Sequence, residues 1–383
     1  MHRTQRRKFI FGAAALSLGQ ALSSAVAQPQ TSAGDEVLIA PSDPHRSITK
    51  IIGQRIIVGF TGTTPSDSGV QAVATQILAG EIAGVLLLKR NIVSISQLIE
   101  LCSFLKSENI AQPPLICIDQ EGGAVARASE KAGFSRWASA AEIAIAYPSY
   151  TSAYKYYRKR VQELAFAGIN FNFAPVVDLN LNRKNPIIGA LDRSFSSSSP
   201  EVIGYAGSLI RAHREFEIRT CLKHFPGHGS STIDSHKDLP NISNSWKPEE
   251  LSPFKDLVNN NLCDSIMIGH LYHPIFSDAP DIPTSLSFKT VHNIRNSIGF
   301  DGPIVTDDLQ MGAITSRFSE QDAAIRAIRA GSDLLIFSTL KKEDDEIGPR
   351  INDILAHAAT SKNFDSESLM QSSLRISSFR SKS

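Results

Sequence analysis

Eight short segments rich in Val, Ile and Leu recur along the chain and are separated by longer amphipathic stretches. They are Arg55–Phe60, Gly84–Leu88, Pro114–Asp119, Ile169–Ala174, Thr220–His224, Asp264–His270, Pro303–Asp307 and Ser332–Phe337. Continuous apolar strands that alternate with helices are typical of a parallel sheet covered on both faces. Eight such units within about 280 residues predict an α/β fold, a closed (β/α)₈ TIM-type barrel in a single domain.

An open, doubly wound parallel sheet is the alternative fold. Sheets of that kind that bind dinucleotides carry a G-x-G-x-x-G turn after the first strand. None of the eight apolar segments is followed by that pattern. We therefore expect the closed barrel, with helices that end at Gly168 and Gly331, since glycine commonly follows the last turn of a helix.

The chain begins with a pattern that predicts export. Arg6 and Arg7 precede an apolar run from Phe9 to about Leu22, and Ala25-Val26-Ala27 forms a small-residue cleavage site. This arrangement resembles a twin-arginine signal. Residues 1–27 are therefore predicted to be an export signal peptide of a bacterial protein, which places the mature chain in the periplasm or outside the cell.

The rest of the chain divides simply. We predict a flexible leader at 28–48, the catalytic barrel at 49–365, and a C-terminal helix or frayed tail at 366–383, where Ser, Arg and Lys accumulate. No internal repeat or second domain is visible. The mature chain is expected to be monomeric and to lack a membrane span once the signal has been cleaved.

The charge balance argues against a nucleic-acid partner. The formal charge of the whole chain is +1, and Arg3, Arg6, Arg7 and Lys8 in the predicted signal contribute four positive charges without any acid. Removing them leaves a formal charge of −3. A chain of that charge has neither the basic surface that binds nucleic acid nor a polybasic membrane patch.

The four cysteines lie in apolar surroundings and none is in a CxxC spacing. They are Cys102, Cys117, Cys221 and Cys263. Buried free thiols are the expected state, although an exported location would permit a disulfide. A zinc site built from cysteine is not indicated, and the sequence predicts no metal and no cofactor.

Polar and charged side chains stand at the ends of several apolar segments or in the loops that follow them. They are Asp119 and then Glu121 at the third, Asp178 and Arg193 in the loop after the fourth, Lys223 and His224 at the end of the fifth, His270 at the end of the sixth, and Asp307 at the end of the seventh. The carboxyl ends of barrel strands carry the active site in enzymes of this fold, so these side chains are expected to converge on one pocket.

The fifth apolar segment opens into an unusual loop, TCLKHFPGHGSSTIDSHKDLP at 220–240. Its prolines and glycines exclude a helix and favour a long structured loop. Three imidazoles, one lysine and two carboxylates lie within sixteen residues: Lys223, His224, His228, Asp234, His236 and Asp238. A core does not require such a set, so we interpret the loop as part of a site.

Other polar residues have simpler interpretations. Asp178 is as compatible with holding a loop as with a direct role in a site. His213 lies among Arg211, Arg214 and Glu215 and is expected to be exposed. His270 and His273 are left out of the predicted site because either could be structural.

Four motifs together resemble a family 3 glycoside hydrolase of the single-barrel β-N-acetylglucosaminidase branch, whose members trim peptidoglycan fragments. The motifs are IDQEGGAVAR (118–127), GINFNFAPVVDLN (168–180) with NPIIG and DRSF (185–195), KHFPGHG with DSH and LP (223–240), and PIVTDDLQMGAI (303–314). The resemblance extends over essentially the whole predicted mature chain. Ala124 and the Ala190-Leu191-Asp192 stretch depart from the family pattern.

The resemblance implies roles for seven residues. Asp307 would be the nucleophile, with His236 as the acid/base and Asp234 as its orienting partner. The residues that would grip the sugar are Asp119, Arg193, Lys223 and His224. The implied activity is that of a retaining exo-β-N-acetylglucosaminidase that forms a covalent glycosyl-aspartate on GlcNAc-containing oligosaccharides or muropeptides. Histidine suits the acid/base task because its ordinary pKa of about 6.5 allows proton exchange near neutrality.

Several alternatives stay open at this point. A β-glucosidase or a glycoside phosphorylase could use the same scaffold. A metal-dependent hydrolase commonly has an HxH pattern after the first strand, where this chain has GFTGTT instead. An exported sugar-binding protein would not need the Asp307, Asp234 and His236 set.

Overall fold

The computed structural model of the protein describes residues 44–109, 112–340 and 342–381. The predicted signal peptide and most of the predicted leader lie outside these residues. Within them, no helix combines the length and the apolar character that crossing a membrane requires.

A parallel sheet curved into a nearly closed barrel forms the centre of the described chain. Its strands are β1 Ile56–Gly59, β2 Gly84–Leu87, β3 Leu115–Ile118, β4 Phe171–Asn172, β5 Arg219–Thr220, β6 Leu222–Phe225, β7 Ile266–Ile268, β8 Ile304–Asp308 and β9 Leu334–Phe337. The spatial order is β5-β4-β3-β2-β1-β9-β8-β7-β6, and every neighbouring pair is parallel.

The two edges of this sheet are consecutive in the chain. Only Cys221 separates β5 from β6, and its amide donates to the Ala174 carbonyl oxygen at 2.9 Å. The next residues continue the contact, since the amide of Val177 donates to the carbonyl of Lys223 at 2.8 Å. The fifth apolar segment therefore forms both β5 and β6, and these two short strands together occupy one of the eight strand positions of the barrel. The predicted eight-unit barrel is confirmed.

The strands form because their apolar side chains are buried on both faces. In β1, Ile57 packs into a cluster with Phe171 and Ile336 inside the barrel. Ile56 and Val58 belong instead to the larger cluster between the sheet and the helices. Side chains alternate across a strand, so a continuous apolar segment serves both layers at once.

Helices cover the outside of the barrel and connect its strands. They are α1 Pro44–Gly53, α2 Ser68–Ala79, α3 Ile95–Ser107, α4 Ala140–Ala146, α5 Tyr150–Phe166, α6 Ser199–Arg214, α7 Ser252–Asn259, α8 Phe288–Asn293, α9 Gly312–Thr315, α10 Glu320–Ala330, α11 Ile347–Thr360 and α12 Ser366–Ser381. Gly168 and Gly331 follow α5 and α10 with φ of 90° and 102°, a left-handed conformation that favours glycine. The two helix ends predicted from these glycines are confirmed.

The C-terminal segment is a packed helix through Ser381, although fraying was expected there. Ile376 and Phe379 of α12 lie in the cluster inside the barrel, and the Phe379 ring meets that of Phe171 at 5.0 Å between centroids. Arg375 on the same helix pairs with the buried Asp333 at 2.9 Å. Two apolar side chains three residues apart give the helix one buried face, and composition alone did not reveal it.

His213 is buried, contrary to the expectation of exposure. Its Nε2 lies 2.9 Å from Asn172 Nδ2, and its Nδ1 lies 2.9 Å from the Leu209 carbonyl oxygen. Burial lowers the pKa of His213 to about 4, so the ring is neutral at pH 7. His213 is a structural residue that ties α6 to the strands.

Candidate active site

A cleft opens at the carboxyl ends of the strands, where the barrel interior meets solvent. Its lining side chains include six of the seven predicted site residues: Asp119, Arg193, Lys223, His224, His236 and Asp307. The seventh, Asp234, contacts His236 from behind. Leu86, Phe173, Met267 and Ile336 also line the cleft and come from the apolar segments. The structure therefore brings together predicted site residues that are up to 188 positions apart in the chain, from Asp119 to Asp307.

Asp307 lies on β8 and is half-buried in the cleft. Its Oδ1 accepts a hydrogen bond from the Asp308 amide at 2.8 Å. Burial alone would raise the pKa of Asp307, but the nearby imidazoles of His270 and His224 lower it below its ordinary value. The carboxylate is therefore ionised at neutral pH, as a nucleophile must be.

Asp234 and His236 form a hydrogen-bonded pair on the loop that follows β6. His236 Nδ1 lies 2.9 Å from Asp234 Oδ1, and the same oxygen accepts the His236 amide at 2.9 Å. Burial would raise the pKa of Asp234, but the hydrogen bonds from His236 lower it. The ionised carboxylate assigns a proton to Nδ1 and leaves Nε2 for proton exchange. The His236 side chain is 52% exposed, so Nε2 is accessible.

The loop that carries this pair is held by contacts within itself and with a neighbouring segment. Its own His228 is buried, with Nδ1 2.8 Å from Ser231 Oγ and Nε2 3.3 Å from Ser235 Oγ. On the other side, the amides of Gly312 and Ala313 donate to the carbonyls of His236 and Ser235 at 3.2 and 3.1 Å. Because Gly312 and Ala313 follow β8, the loop of the Asp234–His236 pair rests on the segment that follows Asp307.

Five charged side chains form what we call the ion-pair cluster: Asp119, Glu121, Arg127, Arg193 and Lys223. Lys223 Nζ contacts Asp119 Oδ1 at 2.9 Å and Glu121 Oε1 at 2.6 Å. Arg193 grips both oxygens of Glu121, at 2.7 Å from Nε and 2.8 Å from Nη2. All five side chains line the cleft. The cluster thus presents fixed donors and acceptors to a polar ligand.

Asp119 connects the cluster to the rim of the cleft. Its Oδ2 accepts from Arg127 Nη2 at 3.2 Å. Burial alone would raise the pKa of Asp119, but the positive charges of Lys223 and Arg127 lower it. Asp119 therefore stays ionised and can accept hydrogen bonds from a ligand.

His224 is oriented by Asp178, whose role the sequence left open. The two side chains meet at 2.7 Å between His224 Nδ1 and Asp178 Oδ2, and Asp178 also accepts the backbone amides of His224 and His228. Asp178 is fully buried, so it cannot reach a ligand itself. Its place in the site is to position the imidazole of His224, which lies 3.4 Å from Arg193 Nη2.

The cleft is also lined by Glu121, Arg127 and Asp308 and supported by His270, none of which is among the seven residues with a predicted role. The sequence places Glu121 in the expected pocket, two positions after Asp119 and so on the same face, but the family resemblance implies no role for it. Gln120, between them, points the other way and accepts the amides of Arg127 and Ala128 through its side-chain oxygen.

His270 and Asp308 support the end of β8. His270 Nε2 lies 2.8 Å from the Asp308 carbonyl oxygen, and Nδ1 lies 2.7 Å from Ser285 Oγ. The Asp308 side chain accepts the amides of Gln310 and Ser338. Burial raises the pKa of Asp308, in contrast to that of Asp307 beside it. Two neighbouring carboxyl groups thus differ in environment, since the pKa of Asp307 is lowered and that of Asp308 is raised.

No group of three or more His, Cys, Asp or Glu side chains in the described ranges is arranged to hold a metal ion. The chemistry available in the cleft is that of a carboxylate, an imidazole with an orienting carboxylate, and a hydrogen-bonding cluster. A carboxylate and a proton donor that face one cavity are the two groups that retaining hydrolysis of a glycosidic bond requires.

Comparison with known proteins gives a consistent assignment. Residues 50–379 match the Glycosyl hydrolase family 3 N terminal domain. The Beta-hexosaminidase A of Pseudoalteromonas piscicida is 29% identical over 367 residues, which are 87% of this chain and 61% of that protein. The Beta-hexosaminidase LpqI of Mycobacterium tuberculosis is 31% identical over 277 residues, 70% of this chain and 68% of that one.

A solved structure gives the same result. The family 3 β-N-acetylglucosaminidase from Paenibacillus sp. is similar to this chain with a TM-score of 0.79 and 29% identity, over 87% of this chain and 62% of that one. The chain thus spans about six tenths of the length of this protein and of the Pseudoalteromonas relative. Since the family match covers most of the residues that form the barrel and its cleft, the chain belongs to glycosyl hydrolase family 3.

Proposed function

We propose that the protein is a retaining exo-β-N-acetylglucosaminidase. Its substrates would be peptidoglycan-derived or chitin-like oligosaccharides with a terminal β-linked N-acetylglucosamine. The observation that carries the proposal is the convergence of Asp307, the Asp234–His236 pair and the ion-pair cluster on one cleft. The names of the relatives, beta-hexosaminidase and β-N-acetylglucosaminidase, support the same activity.

The proposed reaction has two steps. In the first, an oxygen of Asp307 attacks the anomeric carbon while His236 Nε2 gives its proton to the departing glycosidic oxygen, so that a glycosyl-aspartate forms. In the second, His236 Nε2 takes a proton from water, and the resulting hydroxide attacks the anomeric carbon and frees Asp307. Asp234 holds Nδ1 throughout, which keeps Nε2 directed to the proton transfer.

The sugar would be held by the ion-pair cluster and His224. Asp119 is an ionised acceptor for a sugar hydroxyl, whereas Lys223 and Arg193 are donors fixed by their carboxylate partners. Hydrogen bonds to charged groups are each worth about 1.5–3 kcal/mol. A neutral N-acetyl sugar with several hydroxyls and one amide fits such a mixed set.

The mechanism is tested by two substitutions with different expected behaviour. Asp307→Asn removes the covalent route, so turnover should be lost for every leaving group. His236→Ala removes only proton transfer, which typically contributes about 10²–10⁴-fold. Its loss should therefore be large for a disaccharide and smaller in the first step for a nitrophenyl glycoside, whose leaving group departs without a proton.

The second step gives an independent readout. Without a base, the glycosyl-aspartate of His236→Ala should accumulate and appear as a burst of nitrophenolate. Azide attacks without base assistance and should speed its breakdown. Equal loss for both classes of leaving group, with no effect of azide, would show that His236 is not the acid/base.

Two related activities remain alternatives on this scaffold, a β-glucosidase and a glycoside phosphorylase. Kinetics on aryl glucosides and aryl N-acetylglucosaminides, each with and without phosphate, separate the three. A preference for plain glucosides would contradict the proposed specificity. Turnover that depends on phosphate, with a glycosyl phosphate as product, would identify a phosphorylase.

We also propose that the mature protein works in the periplasm or outside the cell. The basis is the sequence alone, with Arg6 and Arg7 before a weakly apolar run. Replacing both arginines by lysine should retain the precursor in the cytoplasm, as cell fractionation would show. Normal export of this double variant would contradict a twin-arginine signal.

A further inference from the structure

Glu121 is a buried carboxylate in the cleft that the proposed reaction does not use. Its two oxygens accept from Arg193 Nε and Nη2 at 2.7 and 2.8 Å, and Oε1 also contacts Lys223 Nζ at 2.6 Å. Glu121 itself is 8% exposed. Burial alone would raise the pKa of Glu121, but the charges of Arg193 and Lys223 lower it, so the group stays ionised.

Arg193 and Lys223 depend on Glu121 to different degrees. Lys223 has a second carboxylate partner, Asp119 at 2.9 Å. Arg193, by contrast, forms its ion pair in the described chain with Glu121. Its Nη1 donates to the carbonyl oxygen of Ile187 at 2.8 Å, which is a neutral partner. Without the charge of Glu121, Arg193 would be a buried guanidinium that has lost its carboxylate.

The charge balance of the ion-pair cluster follows from this. The cluster contains three cations, Arg127, Arg193 and Lys223, and two carboxylates, Asp119 and Glu121. Its formal charge is therefore +1, and neutralising Glu121 would make it +2. A buried charge that loses its partner is strongly unfavourable, so the cluster would then stabilise any small anion that entered the cleft.

We propose that Glu121 determines specificity by excluding anions. By holding and neutralising Arg193 and Lys223, it makes the subsite of the terminal sugar accept a neutral N-acetyl sugar and reject small oxyanions and terminal sugars that carry an acidic group. The inference rests on the proposed function, which it deepens by naming the residue that sets the charge of the sugar subsite. Glu121 acts on the sugar through Arg193 and Lys223 and is thus a positioning residue.

Inorganic sulfate is a suitable probe because it is a small dianion that fits a guanidinium and does not take part in hydrolysis. Its inhibition constant is measured against an aryl N-acetylglucosaminide for the wild type and Glu121→Gln, with chloride matching the ionic strength. We expect the inhibition constant of sulfate to be at least roughly tenfold lower for Glu121→Gln than for the wild type. This is the effect of one added positive charge at close range in a site shielded from solvent. KM for the sugar should rise.

Thermal unfolding gives a readout that does not depend on activity. Sulfate should raise the Tm of Glu121→Gln and leave that of the wild type nearly unchanged. Glu121→Asp keeps the charge but is one methylene shorter, so it should raise KM while remaining as insensitive to sulfate as the wild type. A purely structural role for Glu121 would lower Tm in both variants without creating any affinity for sulfate.

The matched control is Glu215→Gln, which removes a carboxylate from an exposed pair with Arg158 at 2.7 Å, outside the cleft. It should respond to sulfate as the wild type does.

If Glu121→Gln does not fold alone, sulfate during refolding should rescue it, and failure of that rescue overturns the proposal. Equal sulfate affinity of the folded Glu121→Gln and the wild type also overturns it. Lack of wild-type turnover on the aryl substrate would refute the proposed function separately, since the Tm comparison needs no turnover.

Discussion

Two buried glutamates, Glu121 and Glu250, show how the surroundings of a carboxyl group set its charge. Glu121 faces two cations that keep it ionised. Glu250 lies beneath the loop after β6, where its Oε1 accepts the Lys247 amide at 3.2 Å and Ser230 also contacts its carboxyl group. Gly227 packs on it so closely that an added Cβ would lie 2.6 Å from Glu250 Cβ. Burial raises the pKa of Glu250 to about 7.

This environment predicts a pH dependence of stability. The folded-state pKa of Glu250, about 7, lies above the ordinary value of 4.5. The stabilisation linked to its proton is therefore complete below about pH 4.5 and is lost as the pH rises through about 7. Between pH 5 and pH 8 the free energy of unfolding should fall by about 2–3 kcal/mol more in the wild type than in Glu250→Gln.

Urea unfolding of both proteins at the two pH values measures this difference. The exposed neighbour Glu249, changed to Gln, serves as the control and should keep the pH dependence of the wild type. The same slope in Glu250→Gln and the wild type would show that Glu250 does not hold a proton in the folded state.

At the scale of elements, the loop after β6 and the segment after β8 act as one unit. The Gly312 amide donates to the carbonyl oxygen of His236, and an added Cβ at Gly312 would lie 2.5 Å from that oxygen and 2.7 Å from that of Lys237. Arg317 on the same side pairs with Asp238 at 2.7 Å. The position of the Asp234–His236 pair, the proposed acid/base, therefore depends on close backbone contact with the segment that follows the predicted nucleophile.

Gly312→Ala should consequently displace the loop and impair proton transfer. We expect kcat on a disaccharide to fall by roughly 10-fold or more, within the range that general acid/base catalysis supplies, and to fall less on a nitrophenyl glycoside. Steady-state kinetics on the two substrates measure the effect. Gly207→Ala is the control, because its added Cβ would meet mainly the flexible end of Arg211 at 3.1 Å. An equal loss on both substrates would contradict a selective effect on the acid/base.

For the molecule as a whole, α12 completes the barrel from the end opposite the cleft. Phe379 and Ile376 fill the barrel interior next to Phe171. Arg375 and Arg295 both form ion pairs with the buried carboxylate of Asp333. A barrel closes its sides by strand pairing, but its ends need separate cover. The C-terminal helix supplies that cover, so the described fold depends on its last residues.

Phe379→Ala should therefore destabilise the protein by about 3–5 kcal/mol, the usual cost of truncating a buried aromatic side chain. Thermal or urea unfolding measures the loss, and kcat of the remaining folded enzyme should change little because the cleft lies at the other end. Leu374→Ala on the same helix is the control, since Leu374 is 58% exposed. A cost below about 1 kcal/mol for Phe379→Ala would mean that the helix does not close the barrel in solution.

The sequence alone was enough to predict the barrel and most of the cleft. Both follow from local pattern, because each apolar segment builds a strand and each strand end places the next side chain at one rim. Asp119, Lys223 and Asp307 could be found in this way, since each one ends or directly follows an apolar segment. Arg193 and the Asp234–His236 pair lie farther along their loops; local composition marked them as candidates for the site, and only the family resemblance implied their individual roles.

Other features were decided by the tertiary structure, because they depend on which distant groups meet after the barrel has closed. Glu121 and Arg193 are 72 positions apart, and Asp119 and Lys223 are 104 positions apart. No local pattern states that Glu121 balances two cations, that His213 is buried against Asn172, or that α12 enters the barrel. Periodicity records which face of an element is apolar, whereas the partner of a charged or polar side chain is chosen by the packing of the whole chain.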